Sequence, residues 1–444
     1  MNTPICDFVE HYAAGEPVRF HMPGHKGRGS FGVERLDITE IPGADVLYSS
    51  NGIIRQSEEN ASNLFGSART LYSTEGSSLC IRAMLYLATI HARFQGKTAR
   101  IAAGRNAHRA FLEAAAVLDT EIIWIGSGEE LLHAEISEED LKKLFAEEQT
   151  APTAVYLTSP DYLGHCTDLK PLSEICRRNG ALLLVDNAHG AYRKFLAESR
   201  HPLDLGADFC CDSAHKTLPV LTGGAYLHAS RNCPVVLTEM MERSMSLFAS
   251  TSPSWLILQS LDAANALLDG NYPEHIRQAA ARIEACRRRL KATGWTVTGE
   301  EELKLTLCPK TRGYTGTELS EYLRQRGLVS EFADPDYLVL MISPETKEKS
   351  IRQLMEVLLT HPKKTPIAER PPAPACRLPV LSPHDALFFP FENVPIEESI
   401  GRILASPSVS CPPAVPICIC GERIDENALA LFRYYGIESC DVIR

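Results

Sequence analysis

From about residue 66 the hydrophobic and polar positions alternate between two rhythms. Short runs of consecutive apolar residues give way to stretches with apolar positions three and four apart, then return. That alternation predicts βαβ units feeding a mainly parallel sheet. A helix opened by serine caps is expected over 77–94, a strand over 100–103, a helix over 105–118, and strands over 121–125 and 154–158. The clearest unit is 168–190, DLKPLSEICRRNGALLLVDNAHG. Pro171 suits a first helical turn and Gly180 a helix stop. Residues 182–185 are apolar throughout, as in a strand buried on both faces. Asp186 then stands at the carboxyl end of that strand, the edge at which open α/β sheets bind ligands. Strands over 208–212 and 224–229 flank the segment SAHKTLPVLTG.

The pattern changes after residue 254. Two helices, 255–268 and 274–293, precede strands near 295–299, 303–308, 328–333 and 337–343, with helices near 316–326 and 346–360. This predicts a smaller α+β domain. Five prolines in 362–376 predict a stiff, extended linker. A last compact α+β unit, 377–444, is short enough to need docking on the rest. The expected division is an N-terminal segment with a large domain over 1–253, a small domain over 254–361, the linker, and the C-terminal unit. A chain of 444 residues is long enough for several cores.

Composition narrows the function classes. A hydrophobic share of 44% and a charged share of 23% are those of a globular protein. The net charge of −11 lacks the basic excess of a nucleic-acid binder and is compatible with a cationic substrate. The first residues carry no basic stretch followed by an apolar one, and no apolar run approaches the roughly 20 residues of a membrane helix. A cytoplasmic location is expected. The fourteen cysteines read as reduced, mostly buried thiols without metal-ligand spacing, so no metal is expected.

The candidate chemistry centres on Lys216. A loop between two strands with Ser, His, Lys and Thr within five consecutive positions is unusual. A lysine amine can hold a carbonyl cofactor as a Schiff base. Pyridoxal 5'-phosphate (PLP) so held is an electron sink for a carbanion, and works best with its ring nitrogen protonated. Asp186, thirty residues earlier and one crossover back, is the candidate to hold that proton. Taken singly, Lys216 also reads as a surface lysine and Asp186 as a turn cap.

Several segments together resemble the Orn/Lys/Arg decarboxylase family, in its short bacterial branch. Ser213-Ala214-His215-Lys216-Thr217-Leu218 resembles the cofactor-lysine motif, and Val185-Asp186-Asn187-Ala188-His189-Gly190 the pyridine-binding segment. Phe20-His21-Met22-Pro23-Gly24-His25-Lys26-Gly27 is similar to the N-terminal signature, followed by Asp37 to Gly43. Residues 251–254 and 412–424 match further landmarks. The resemblance implies an aspartate-aminotransferase-like (PLP fold type I) large domain, a homodimer with its active site at the subunit interface, and decarboxylation of arginine, lysine or ornithine in polyamine biosynthesis. It implies that Lys216, Asp186, His108 and His189 serve the chemistry.

The same resemblance makes Ser73 to Ser78 the phosphate loop. Bottom-up, Gly76 permits close backbone approach, and the N–H groups at Ser77 and Ser78 open a helix that attracts an anion; both serines also read as plain N-caps. His108 matches the residue that stacks on the PLP ring, and reads equally as a solvated residue at a helix start. Ala188 would pack on the other ring face. Ser213 and His215 match phosphate ligands, and Thr251 and Ser252 a segment reaching the partner's phosphate. His21, His25 and Lys26 could bind a substrate carboxylate or order the N-terminus at the dimer interface. Glu392 is a candidate for the substrate's cationic head group. Three residues depart from the family pattern: Asn187, Glu75 and Asp161. A carboxylate at 75 would repel phosphate unless it points away. The rival readings are transamination or β-elimination on the same fold, and a non-catalytic PLP-binding homologue.

Overall fold

The computed structural model describes residues 1–126, 131–147, 151–374, 379–411 and 415–444. Seven strands form the central sheet: β1 (Arg69–Ser73), β2 (Arg100–Gly104), β3 (Glu121–Ile125), β4 (Ala154–Thr158), β5 (Leu182–Asp186), β6 (Phe209–Asp212) and β7 (Ala225–Ala229). Their order is β1-β7-β6-β5-β4-β2-β3. The pairs from β3 through β6 are parallel, while β7 runs antiparallel to both β6 and β1. The reversal at β7 follows from its connection. Only residues 213–224 join it to β6, with one short helix, Ala214–Thr217. That is too little chain for the helical crossover that a parallel return needs.

β5 is buried at every position because helices cover both sheet faces. On one face the helix Gly76–Phe94 packs Leu79, Met84 and Leu87 against Leu71, Leu184 and Leu227. On the other, the helix Leu169–Arg178 packs Leu172, Ile175 and Cys176 against Val155, Leu183 and Val185. Each buried leucine contributes roughly 1.5–3 kcal/mol.

Two helix starts differ from the sequence expectation. The helix expected over 105–118 runs Arg109–Val117, because His108 has extended backbone and its ring accepts the N–H of Ala110. The helix expected at Ser77 opens at Gly76, and no side chain caps it. Ser77 and Ser78 therefore lie inside the first turn, where their N–H groups have no intrahelical acceptor.

The second sheet comprises β8 (Val297–Thr298), β9 (Lys304–Leu307), β10 (Phe332–Ala333) and β11 (Leu338–Met341), all antiparallel in the order β10-β11-β9-β8. Trp295, Leu305 and Leu340 pack there with Ile283 and Leu290 of the long helix Tyr272–Ala292. The proline-rich segment runs extended along this unit, with the N–H groups of Lys364 and Ile367 on the carbonyls of Arg312 and Lys310. Its last two residues, 375–376, lie outside the described residues, as do the expected domain start at 377 and positions 412–414 of the C-terminal landmark.

The C-terminal unit pairs β12 (Phe391–Pro395) with β15 (Ser439–Ile443), and β13 (Ser408–Cys411) with β14 (Val415–Ile419). It is tied to the large domain by Arg105, whose guanidinium grips the buried Glu422 carboxylate through two bonds of 2.6 and 2.9 Å. The cysteines whose side chains are described are free thiols. Among those residues no helix is long and apolar enough to cross a membrane.

One buried acid makes stability depend on pH. Glu58 sits in the helix Ile53–Phe65, and burial raises its carboxyl to about 8. A raised acid favours folding in its neutral form. That contribution is complete below the ordinary value of 4.5 and is lost as pH rises through about 8. Denaturant titrations from pH 5 to pH 8 should show stability falling, and Glu58→Gln should flatten the slope. An unchanged slope in the variant would refute the assignment.

Candidate active site

The carboxyl ends of β4 and β5 open on a cavity of about 260 Å³. Asp186, Lys216 and His189 line it together. β5 lies beside β6, so a residue ending β5 and one just past β6 meet at a single edge. The Asp186 carboxylate is buried and accepts the Tyr156 hydroxyl at 3.1 Å and the N–H of Ala188 at 3.1 Å. The Lys216 amine lies 3.1 Å from Nε2 of His189. Burial lowers the amine's pKa below the ordinary lysine value, with Asp186 acting in the opposite sense. Burial and then the Lys216 charge push the His189 imidazole well below the usual histidine range. Neutral forms of both bases are thereby favoured.

Around this pair the structure gathers Ala188, His108 and Ser77 on the same walls. The Ser213 hydroxyl donates to the Ser77 hydroxyl at 2.8 Å, joining the start of the helix Gly76–Phe94 to the Lys216 turn. Gly76 has φ +72° and nothing within reach of an added Cβ, so an approaching ligand meets bare backbone. His215 turns its Nδ1 to the Gly224 carbonyl at 3.0 Å. His108 presents its ring to the cavity, and the protein around it lowers its pKa.

The remaining expected residues lie elsewhere. Thr251 and Ser252 are exposed. Glu75 explains how an acid fits the loop beside them: its carboxylate accepts the N–H of Ser250 at 2.8 Å and so points away from the cavity. His21, His25 and Lys26 do not line the cavity. His21 bonds the Tyr12 hydroxyl at 2.6 Å, His25 pairs with Asp37 at 3.2 Å, and Lys26 donates to the His21 carbonyl at 2.6 Å. Glu392 is also outside the lining, on β12, paired with Arg402 at 2.7 Å. Asn187 donates to the buried Asp212 carboxylate at 2.6 Å and serves the sheet edge behind Asp186.

Sequence reasoning missed Glu331 and Tyr162. Both line the cavity, with the Tyr162 hydroxyl donating to the Glu331 carboxylate at 3.1 Å. The Tyr162 ring stands edge-on to His189, 5.2 Å between centroids. Glu331 just precedes β10, and no local pattern marks an acid there as a lining group.

These groups fit PLP. A nucleophilic amine, a buried carboxylate and an uncapped helix start converge on one cavity. The buried Nδ1 of His189 and Oγ1 of Thr158 have no partner among the described residues.

The family model for the Orn/Lys/Arg decarboxylase major domain matches residues 3–306, and that for the C-terminal domain residues 379–439. The chain belongs to the Orn/Lys/Arg decarboxylase family. As a family member it is an amino-acid decarboxylase, and enzymes of this family and fold depend on PLP. An arginine decarboxylase of Halalkalibacterium halodurans is 29% identical over 97% of this chain and 93% of its own. An arginine decarboxylase of Bacillus subtilis is 26% identical over the same shares. In fold, the decarboxylase resembles the Francisella novicida lysine decarboxylase LdcF, with a TM-score of 0.80 and 16% identity over 100% of this chain and 81% of that one. The fold is that of the type I PLP enzymes, with a mainly parallel central sheet.

Proposed function

We propose that this decarboxylase removes CO₂ from a basic amino acid, with arginine the foremost candidate, and releases the corresponding amine. The carrying observation is one cavity that holds Lys216, Asp186 and the acid Glu331 together. Arginine is favoured because several of the curated relatives are named arginine decarboxylases. Lysine and ornithine share its positive head group.

In this reading Lys216 would hold PLP through its carbonyl carbon, and the amine's lowered pKa favours its nucleophilic neutral form. The first-turn N–H groups of Ser77 and Ser78, with the hydroxyls of Ser77 and Ser213 and the His215 turn, would hold the phosphate, the Gly76 N–H being taken by the Gly223 carbonyl at 2.7 Å. Asp186 would keep a proton on the ring nitrogen, and Ala188 and His108, on the same cavity walls, would flank the ring. Bound there, PLP supplies the electron sink for the carbanion that CO₂ loss leaves. Lys216 or His189, 3.1 Å apart, returns the proton to the α-carbon. Glu331, steadied by Tyr162, takes the cationic head group. Thr251 and Ser252 belong to a homodimer in which each chain reaches its partner's phosphate. The exposed Phe20 and Phe31 support such an interface. The product would enter polyamine supply in the cytoplasm.

The deciding experiment offers arginine, lysine and ornithine side by side and measures CO₂, amine and keto acid. Agmatine with stoichiometric CO₂ supports the proposal; keto acid without CO₂ overturns it. Glu331→Gln should raise KM about 10- to 100-fold, in line with the roughly 1.5–3 kcal/mol of a charged hydrogen bond. A fall in kcat with KM unchanged would remove Glu331 from the head-group role.

A further inference from the structure

His133, Asp161 and His165 form a cluster at the rim of the active-site cavity. Their metal-binding atoms lie within 4.8 Å of one another. His133 comes from the segment between β3 and the helix Glu138–Ala146, and the other two from the loop after β4. Both imidazoles aim Nδ1 at the same carboxylate oxygen of Asp161, at 2.8 Å from His133 and 3.1 Å from His165. The Asp161 carboxylate is buried and also accepts the His165 N–H at 2.9 Å. Nε2 of His165 lies 2.8 Å from Oγ1 of Thr298, on β8 of the small domain.

We propose that this cluster is a binding site for a divalent transition-metal ion of the zinc class, with the two Nδ1 atoms, one Asp161 oxygen and water as ligands. The donor set of two imidazoles and one carboxylate is the borderline set such ions prefer over magnesium or calcium. The spacing suits it. Metal–ligand bonds of roughly 2.0–2.2 Å in a tetrahedral site put neighbouring donors about 3.3–3.5 Å apart. The two Nδ1–Oδ2 separations, 2.8 and 3.1 Å, therefore need to open by only a few tenths of an ångström. The outer contact suits it too. With Nδ1 giving its lone pair to the ion, the His165 ring proton sits on Nε2, where the Thr298 hydroxyl accepts it. Without an ion the same atoms make an ordinary hydrogen-bonded triad, in which Asp161 Oδ2 accepts two imidazole N–H groups. Binding at this site does not depend on which amino acid the cavity takes.

The test titrates zinc chloride into chelator-treated holoenzyme by calorimetry, alongside His133→Ala and the His133→Ala/His165→Ala double variant. Circular dichroism checks that the variants are folded. One equivalent per chain is expected, with affinity falling at least about tenfold in the single variant and further in the double. Thermal unfolding of the wild type, and not of the double variant, should shift upward with zinc. X-ray absorption at the zinc edge should report nitrogen and oxygen neighbours. Equal binding by wild type and double variant, no binding by wild type, or a sulfur-dominated shell from the cysteines would each overturn the site. Asp161→Asn keeps the side chain's shape, and should weaken zinc as His133→Ala does. Unchanged affinity in this variant would overturn the carboxylate's role as ligand.

Discussion

Lys216→Ala should abolish CO₂ release, with kcat falling more than about 10³-fold. The amine is the one primary amine lining the cavity among the described residues, and His189 at 3.1 Å cannot replace it. An imidazole does not form the Schiff base that a primary amine forms. The side chain is half-buried and lines a cavity, so truncation leaves the sheet and its helices intact. The check is steady-state decarboxylation together with the visible absorbance of the lysine-bound cofactor. Both should vanish while circular dichroism and the thermal transition persist. A folded variant that keeps the band would place the covalent attachment elsewhere and overturn the proposed chemistry.

Asp186→Asn should lower kcat by on the order of 10²–10³-fold with a much smaller change in KM. The substitution removes charge and keeps shape. One amide oxygen still accepts from Tyr156 or Ala188, so loss of buried hydrogen bonds is held to one partner, roughly 1–3 kcal/mol of stability. What would disappear is the anion proposed to face the cofactor's ring nitrogen, the group that would hold positive charge there. Kinetics and the cofactor's absorbance measured together separate the two effects. If kcat keeps within threefold of wild type while PLP stays bound, Asp186 is structural. That result would leave the role of Lys216 untouched.

Much of this architecture was legible from local patterns. Continuous apolar residues at 182–185 marked a doubly covered strand, and the polar residue that follows had to emerge at its end. The motif around Lys216 stood out because four functional residue types crowd a short connection. The expected helix at 105–118 began too early, since propensity does not register that the His108 ring takes up the first-turn N–H. The cap expected from Ser77 and Ser78 failed for a related reason. Gly76 already turns the chain into the helix with its own N–H on the Gly223 carbonyl, and the N–H groups of Ser77 and Ser78 are left for another acceptor.

Other features depend on residues far apart in the chain. Glu331 stands 115 positions beyond Lys216, just before β10 of the second sheet, and reaches the cavity only through the packing of segments far apart in the chain. Asp161 stands as a departure from the family pattern; it lines the cavity, and His133 and His165 both bond its carboxylate there. Glu392 illustrates the reverse, an acid with a plausible local context that pairs with Arg402 on the C-terminal unit. Strand and helix periods, turns and the family motifs act over a few residues, so the amino-acid order alone was enough for the fold class and for the Lys216–Asp186 pair. Which acids face the cavity, which histidines meet, and where Glu75 turns its charge depend on packing between distant segments, and that is settled only when the chain closes on itself.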